Sequence, residues 1–512
     1  LGFYEFFMID SICISPLIEP AHASVSRRVR RFLAAGLQYA IWMLVMVLCV
    51  ARCCEAVEWS LLECLDVALS RSDKAMEFQE DLQLSTMDVA AAEHQFDTKL
   101  VPLASIGVTQ GTGTQQLGLE MRRDMSTGTA VAYGVVGRSL NDDSGYVVEN
   151  EASARAYVRL SQGLLRRWGS DYNLSELTSA ELRLRAREIT TQRLQQSLIL
   201  STVQQYYDLL LARQLRLKAD LALKRSQDHL DAAKARQAVG LVSKVDVYRA
   251  ELAMLNAESQ IQQLDRRQQR AETAFRQFLR LPEEEAVGLQ GGLLRMIPVI
   301  PDNWEKELLG SRLDWQAQRI AMQVAEVELA KANDDLQPDI DLNFTIEQMG
   351  EGDSASDAIE LDETNWSLQL EMRSTFDQFN EKNVLMRKRI EQTRLRRATE
   401  AMKQRIVSET RAAFADLVLE DNNYQLNVRR LKQAEMAMEL AETRYERGLS
   451  DNLDMLDAET ALSEAENNLV SSLVAYNITA TSLANSLGIL DRRWIAESLK
   501  PAAPAPPAQD LK

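Results

Sequence analysis

Asp454 and Asp457 lie three residues apart in the stretch RYERGLSDNLDMLDAE, which runs from Arg444 to Glu459. On a helix that spacing puts both carboxylates on one face. Carboxylates held close together resist ionisation, repel anions and can hold a multivalent cation. That is binding chemistry rather than bond-making. The rest of the inventory points the same way. The three histidines stand far apart, at 22, 94 and 229, and the five cysteines fall at 13, 49, 53, 54 and 64. No Gly-rich phosphate loop and no metal-ligand cluster occurs in the sequence. A nucleophile, a base and an oxyanion donor cannot be assigned. No catalytic residue, cofactor or metal site is expected, and the chain does not read as an enzyme. The aspartates also have a purely structural reading, because carboxylates in a first helical turn are favoured by the helix dipole.

The same pattern occurs earlier, in RQAVGLVSKVDVYRAE from Arg236 to Glu251. With Gly240 aligned on Gly448, Leu241 falls on Leu449, Asp246 on Asp454, and Ala250-Glu251 on Ala458-Glu459. Over residues 240–258 there are 8 identities in 19 positions, far above chance, which marks an internal duplication. Upstream, AAAEHQFDTKLVP (90–102) matches AEVELAKANDDLQP (325–338), and the first copy carries 28 extra residues before its next strand. The expected organisation is a leader over 1–56, a first repeat over 57–300, a second over 301–490, and a Pro/Ala-rich flexible tail over 491–512.

Each repeat reads as helix, strand, loop, strand, long helix, Gly-Leu turn and long helix. The second copy shows the strands best. Ile340, Leu342, Phe344 and Ile346 alternate with polar residues in 338–348, and Trp366, Leu368, Leu370 and Met372 do so in 365–373. Period-2 alternation gives one apolar and one polar face. A length of about ten residues suits a tilted strand that crosses a bilayer, and a soluble hairpin with one wet face is the other reading. In the first copy 103–111 and 156–165 take the matching places. The stretch 127–137 is expected to extend that hairpin outside the membrane.

From Leu174 to Val239, and from Asn380 to Arg447, there is no Pro or Gly. At about 1.5 Å per residue the first run is on the order of 100 Å long. Apolar residues recur at steps near 3.5: Val203, Tyr207, Leu210, Leu217 and Leu221, then Ile261, Leu264, Ala271, Phe275 and Phe278, and Leu469, Leu473, Tyr476, Ala480, Leu483 and Leu487. That spacing is a coiled-coil seam. Gly240 and Gly448 mark where each long helix ends in a left-handed turn, and Leu241 and Leu449 are expected to pack across those turns.

The net charge of −17 argues against nucleic acid, which needs a basic face. Arg27, Arg28, Arg30 and Arg31 precede an apolar run, Phe32 to Ala51, and RCCEA follows, ending at Ala56. This reads as a secretory signal cleaved after Ala56. A retained anchor and a lipidated Cys53 or Cys54 are the alternatives. Residues 1–26 read as neither signal nor domain, and the natural start is expected downstream of them. After cleavage only Cys64 remains, so no intrachain disulfide is expected.

From about residue 58 to 490 the chain resembles the TolC-like outer membrane efflux protein family. The resemblance rests on the duplicated Gly-Leu…Asp…Ala-Glu turns, LSQGLLRRWG (160–169) before a long helix, ARAYVRLSQ as a barrel strand, SRLDW (311–315) and NSLGIL (485–490). It implies a homotrimer with a twelve-stranded outer-membrane barrel, four strands from each chain, above an α-helical tunnel through the periplasm. The implied activity is an exit duct that docks a periplasmic adaptor (membrane fusion protein) and an inner-membrane transporter. Counting strands leads the same way. Four membrane strands cannot close a barrel, and an open edge is not viable in lipid, so three chains of four give twelve.

By the same resemblance Asp454 and Asp457 form an aperture ring, Tyr445 bonds to Asp246, and Gly240, Leu241, Gly448 and Leu449 form the docking tips. Three positions depart from the family pattern. Gly163 stands where a proline is usual, Thr375-Phe376 where Pro-Leu-Phe is common, and Ser450 where an arginine would close the aperture. A secreted coiled-coil scaffold or adaptor without a pore is the competing reading, and the alternating strand at 338–348 speaks against it.

Overall fold

Residues 57–109, 112–142, 151–282, 287–290, 292–374 and 377–500 are described by a computed structural model. The leader with Cys53, Cys54 and Ala56, the Thr375-Phe376 pair and the Pro/Ala stretch from 501 lie outside the described residues. The chain divides into two compact units, residues 1–58 with 284–288, and residues 59–283 with 289–512. In the first unit the described residues belong to a short strand pair, β1 (Val57–Trp59) with β6 (Val287–Leu289).

The larger unit runs twice through one order. The first pass is α1 (Leu61–Arg71), α2 (Asp73–His94), β2 (Lys99–Thr109), β3 (Thr112–Asp124), β4 (Thr129–Asp142), β5 (Glu151–Gly163), α3 (Ser170–Asn173), α4 (Ser175–Ala238) and α5 (Lys244–Leu279). The second is α6 (Trp304–Ser311), α7 (Leu313–Asp334), β7 (Asp339–Gly352), α8 (Ala355–Ala358), β8 (Glu363–Arg373), α9 (Phe379–Glu446), α10 (Asn452–Leu487) and α11 (Arg492–Ser498). The long helices α4 and α9 hold 64 and 68 residues, within a residue of the Gly- and Pro-free runs. Among the described residues no helix is long and apolar enough to cross a membrane.

The strands form one antiparallel sheet in the order β2-β3-β4-β5-β7-β8. All four expected strands are present, and the sheet holds two more, six in all. The 28-residue insertion supplies β3 and most of β4; of the segment 127–137, Thr127 and Gly128 lie in the β3–β4 turn and residues 129–137 begin β4, paired with β3 and β5. An inserted segment with its own alternation and a Gly-containing turn, Gly128 at φ +84°, folds into the sheet because that satisfies its backbone.

Sheet and helices are joined at a charged corner. Arg166 binds Asp335 at 2.8 Å, and Tyr172 donates to the same carboxylate at 2.9 Å. Arg167 binds Asp339 at 2.6 Å and Asp341 at 2.9 Å. Gly163 occupies the proline position for a local reason. A Cβ there would lie 2.8 Å from the Arg166 carbonyl oxygen.

The coiled-coil seam is only partly where the sequence placed it. Val203, Tyr207 and Leu210 are buried, as are Leu473, Tyr476, Ala480, Leu483 and Leu487. Leu217 and Leu221 are exposed instead. The buried line on α4 moves to Leu215, Ala219, Ala222, Ser226, His229, Leu230 and Ala233. A straight helix drifts relative to a seven-residue repeat, and the small residues that take over let the helices of the hairpin approach closely.

Two motifs that are distant in sequence meet at the end of α10. The Arg312 guanidinium, almost wholly buried, binds Asp314 at 2.6 Å and donates to the Ser486 carbonyl at 2.8 Å. The Ser311 hydroxyl donates to the Leu487 carbonyl at 2.7 Å. Gly488, at φ +75°, lies so near Ser311 that a Cβ would come within 2.6 Å of its carbonyl oxygen. Burial pushes the Asp314 carboxyl up, but the Arg312 guanidinium outweighs it and holds the group below its ordinary value. Replacing Arg312 by Met strands the Asp314 charge, and loss of about 3 kcal/mol or more of stability is expected. Urea midpoints of the purified protein measure this, with Arg492→Met, which removes the exposed pair with Asp66, as the comparison that leaves the midpoint almost unmoved.

Candidate functional site

The candidate site is the pair of turns at Gly240 and Gly448. Both helices end in the same hydrogen-bond pattern. Leu241 N–H donates to the Arg236 carbonyl at 2.9 Å and Gly240 N–H to Gln237 at 3.0 Å. In the second copy Leu449 N–H donates to Arg444 at 2.8 Å and Gly448 N–H to Tyr445 at 3.0 Å. This pair of bonds is a Schellman closure, which needs a left-handed residue after the last helical one. Gly240 at φ +77° and Gly448 at φ +71° supply it. The leucines do not pack across the turns as expected. Leu241 is 75% and Leu449 68% exposed, because the chain turns immediately into the next helix and leaves nothing beneath them.

The return helices start with side-chain caps. Ser243 caps α5, and its hydroxyl and backbone N–H bond the Asp246 carboxylate at 2.7 and 3.0 Å. The Ser243 hydroxyl holds the Asp246 carboxyl below its ordinary value. Asp451 caps α10 through the N–H groups of Leu453 and Asp454, both at 3.1 Å. Ser450, at the expected arginine position, donates to Asp454 at 2.5 Å. Asp454 and Asp457 are exposed on the first turns of α10, on one face as their spacing requires. Asp246 and Asp454 both sit in the first turn of their helices, each bonded by a nearby serine, and Asp454 and Asp457 remain exposed.

The bond expected between Tyr445 and Asp246 is not made. The Tyr445 hydroxyl is buried without a hydrogen-bond partner, and Asp246 is taken up by Ser243. Tyr445 is held by other contacts. The Arg236 guanidinium lies 4.1 Å from its ring centroid and donates to its carbonyl at 2.6 Å, and the His229 ring is 5.2 Å away.

A polar seam beside the turns went unread in the sequence. Asn452, fully buried, donates its amide to the Asp246 carbonyl at 2.9 Å, so its oxygen faces His229 Nε2 at 2.6 Å. That oxygen only accepts, so His229 donates from Nε2. Seven residues on, Glu459 accepts from Ser226 at 3.0 Å. Seven further, Glu466 accepts from Lys218 at 3.1 Å and Arg225 at 3.3 Å. The heptad spacing 452, 459, 466 was the available signal, and it was hidden because the residues are polar. Val245, Tyr248, Leu252 and Leu255 were missed as well. They recur at steps of three and four, yet all are exposed. Among the described residues no group of His, Cys, Asp and Glu is placed to hold a metal ion.

The sheet carries a second surface of functional character. Its outward apolar face includes Leu100, Ile106, Leu119, Tyr133, Val158 and Leu368, all exposed, with Ile106 at 86%. Its other face carries Glu120, Arg122, Arg159, Asn343, Glu347 and Gln369.

Residues 304–489 match the model of the outer membrane efflux protein family. No curated protein matches the chain in sequence. Among solved structures the chain is similar to CusC, with 16% identity, 85% of this chain and 93% of that one covered and a TM-score of 0.66. It is similar to MtrE of Neisseria gonorrhoeae in its open state, with 18% identity, 84% and 89% covered and a TM-score of 0.66. It is also similar to VceC of Vibrio cholerae, with 16% identity, 84% and 96% covered and a TM-score of 0.65. The resemblance read from the turns and motifs therefore holds, and the fold is that of these channels.

Burial pushes the His229 imidazole below its ordinary value; the Asn452 bond opposes this and the Arg236 charge adds to it. A lowered pKa stabilises the fold above about pH 6.5 and loses that contribution as pH falls through the folded value. Burial raises the Glu459 carboxyl, which works with the opposite sign, so the comparison with a variant is the useful measurement. The stability advantage of the protein over His229→Gln is expected to be constant above about pH 7. Below about pH 6.5 it shrinks, by about 1.4 kcal/mol for each unit that folding lowers the imidazole pKa. Urea unfolding across pH 5–8 on both proteins reads it.

Proposed function

From the family to which residues 304–489 belong, the outer membrane efflux proteins, we propose that the chain is one protomer of a trimeric outer-membrane channel. It serves as the exit duct of an efflux or secretion assembly, with its helices in the periplasm and its turns docked to an adaptor and an inner-membrane transporter. The family is one of channels rather than enzymes. The observation that carries the proposal is the two-faced sheet, exposed and apolar on one side and charged on the other, in the same chain as two long helical hairpins. An adaptor or scaffold without a pore has no use for an exposed apolar sheet. In hydrocarbon the unpaired edges of β2 and β8 require a partner strand, so one chain alone is incomplete. Three copies follow from the family resemblance.

The exposed Leu241 and Leu449, with the stripe Val245, Tyr248, Leu252 and Leu255 beside them, support docking of a partner's helical hairpin at the turns. Leu241→Glu with Leu449→Glu is expected to cut adaptor cross-linking and export by at least about tenfold, the equivalent of about 1.4 kcal/mol, in a correctly assembled oligomer. Unchanged cross-linking would remove the docking assignment.

In a trimer Asp454 and Asp457 place six carboxylates around one axis. Such a ring favours cations and holds multivalent ones. Reconstituted channels are expected to prefer cations and to be blocked by a hexammine cation from the side of the turns. Asp454→Ala with Asp457→Ala should weaken that block by at least about tenfold. Single-channel recording decides, and an unaltered block in the double variant rejects the ring.

A further inference from the structure

The inserted hairpin β3–β4 is interposed between β2 and β5, so that β2, which would otherwise pair with β5, pairs with β3 and β5 pairs with β4. Its strands hold 13 and 14 residues, and about 9–11 suffice to cross a bilayer. The apolar face runs over it without a gap. Met121 on β3 lies opposite Leu100 on β2 and Tyr133 on β4, and Tyr133 lies opposite Val158 on β5. Leu119 likewise lies between Pro102 and Val135. Leu117, Leu119, Tyr133 and Val135 are exposed on this face just as Ile106 and Leu368 are on the flanking strands.

The apolar stretches are also staggered as tilted strands require. The apolar residues of β8, Trp366 to Met372, centre on Gln369. The hydrogen-bonded row through Gln369 passes Asn343, Ser161 and Ala130 and reaches Asp124 on β3. The apolar stretch of β3 centres on Leu119, about five residues further along over four strand steps. With about 3.3 Å per residue and about 4.8 Å between strands, one level belt requires a tilt of about 40°. Barrel strands in membranes tilt by about 35–45°. The inserted strands thus keep pace with the belt set by their neighbours.

On the polar face the hairpin is fastened to the older strands. The Tyr157 hydroxyl on β5 donates to Glu120 on β3, reaching over β4 at Gly134, where a Cβ would lie 3.0 Å from that hydroxyl. Thr129 on β4 donates to Gln162 on β5 at 2.5 Å.

We infer that the inserted hairpin crosses the outer membrane with the other four strands, its apolar face against lipid acyl chains, so that each chain lends six strands and a trimer closes a barrel of eighteen. This rests on the outer-membrane reading above. A strand hydrogen-bonded between two membrane strands cannot leave the membrane without breaking both ladders. Barrel diameter grows roughly in proportion to strand number, so the outer mouth is wider by about half than a twelve-stranded one.

Site-directed spin labels on the assembled protein in liposomes test this. Single cysteines replace Leu119 and Val135 on the hairpin, Ile106 and Leu368 on the flanking strands, and Gln116 and Gln369 on the polar face. Cys64 can stay, because it is wholly buried and burial pushes its thiol up to about 12. The expected result is the same oxygen-rich, chelate-poor accessibility at Leu119 and Val135 as at Ile106 and Leu368, with the reverse at Gln116 and Gln369. Labels at Leu119 and Val135 that meet the aqueous chelate, while Ile106 and Leu368 meet oxygen, overturn the six-strand crossing and leave the outer-membrane reading standing. Aqueous exposure at Ile106 and Leu368 as well overturns both. The mass of the detergent-solubilised oligomer then fixes the total: three chains give eighteen strands, and any other number overturns that count.

Discussion

Hydrocarbon offers no hydrogen bonds, and a backbone N–H or C=O left open there costs several kcal/mol. A sheet with an exposed apolar face and two open edges, β2 and β8, is incomplete in that medium. On the proposed function its apolar face turns to lipid, the edges of one chain meet those of another, and the polar face with Glu120, Arg122, Arg159 and Glu347 turns to an aqueous interior. On the same proposal the rest of the chain holds the sheet in place and continues away from the bilayer.

The corner between sheet and helices is charged rather than apolar. Just past the end of β5, Arg166 reaches Asp335 at the end of α7 and Arg167 reaches Asp339 and Asp341 at the start of β7, tying the two repeats together where strands give way to helices. Further along, the packing of Arg312 and Ser311 against the end of α10 ties the second repeat's short helices to its long hairpin. Between these fixed points the helices pack through small residues, and toward the turns through a polar layer of Asn452, Glu459 and Glu466. Buried polar residues at seven-residue spacing are costly unless satisfied. In exchange they set the register of one helix on another.

The turns themselves are built identically by two segments with 8 identities in 19 positions. Their glycines fix the backbone, and their leucines are left exposed at the ends of both hairpins. The second turn differs from the first in its acidic surface, since Asp454 and Asp457 are both exposed where Asp246 is half-buried and bonded twice by Ser243. The two hairpins are therefore alike in shape and unlike in charge.

Local chemistry was legible in the sequence and contacts between distant segments were not. The ends of α4 and α9 were set by Gly240 and Gly448, because glycine takes up a left-handed turn without strain. The four strands were legible from period-2 alternation, and the duplication from aligned identities. Exposure was decided by tertiary structure. Leu217 and Leu221 keep the seam's spacing but lie outside it, since helix drift and neighbouring small residues choose which stripe is buried. The fate of Tyr445 also depended on geometry: Asp246 is close in space, yet Ser243, three residues from it, takes the carboxylate first. The number of strands was decided in the same way. The inserted segment shows alternation of its own, but only the hydrogen-bonded register between β2 and β5 places it within the sheet rather than beyond it.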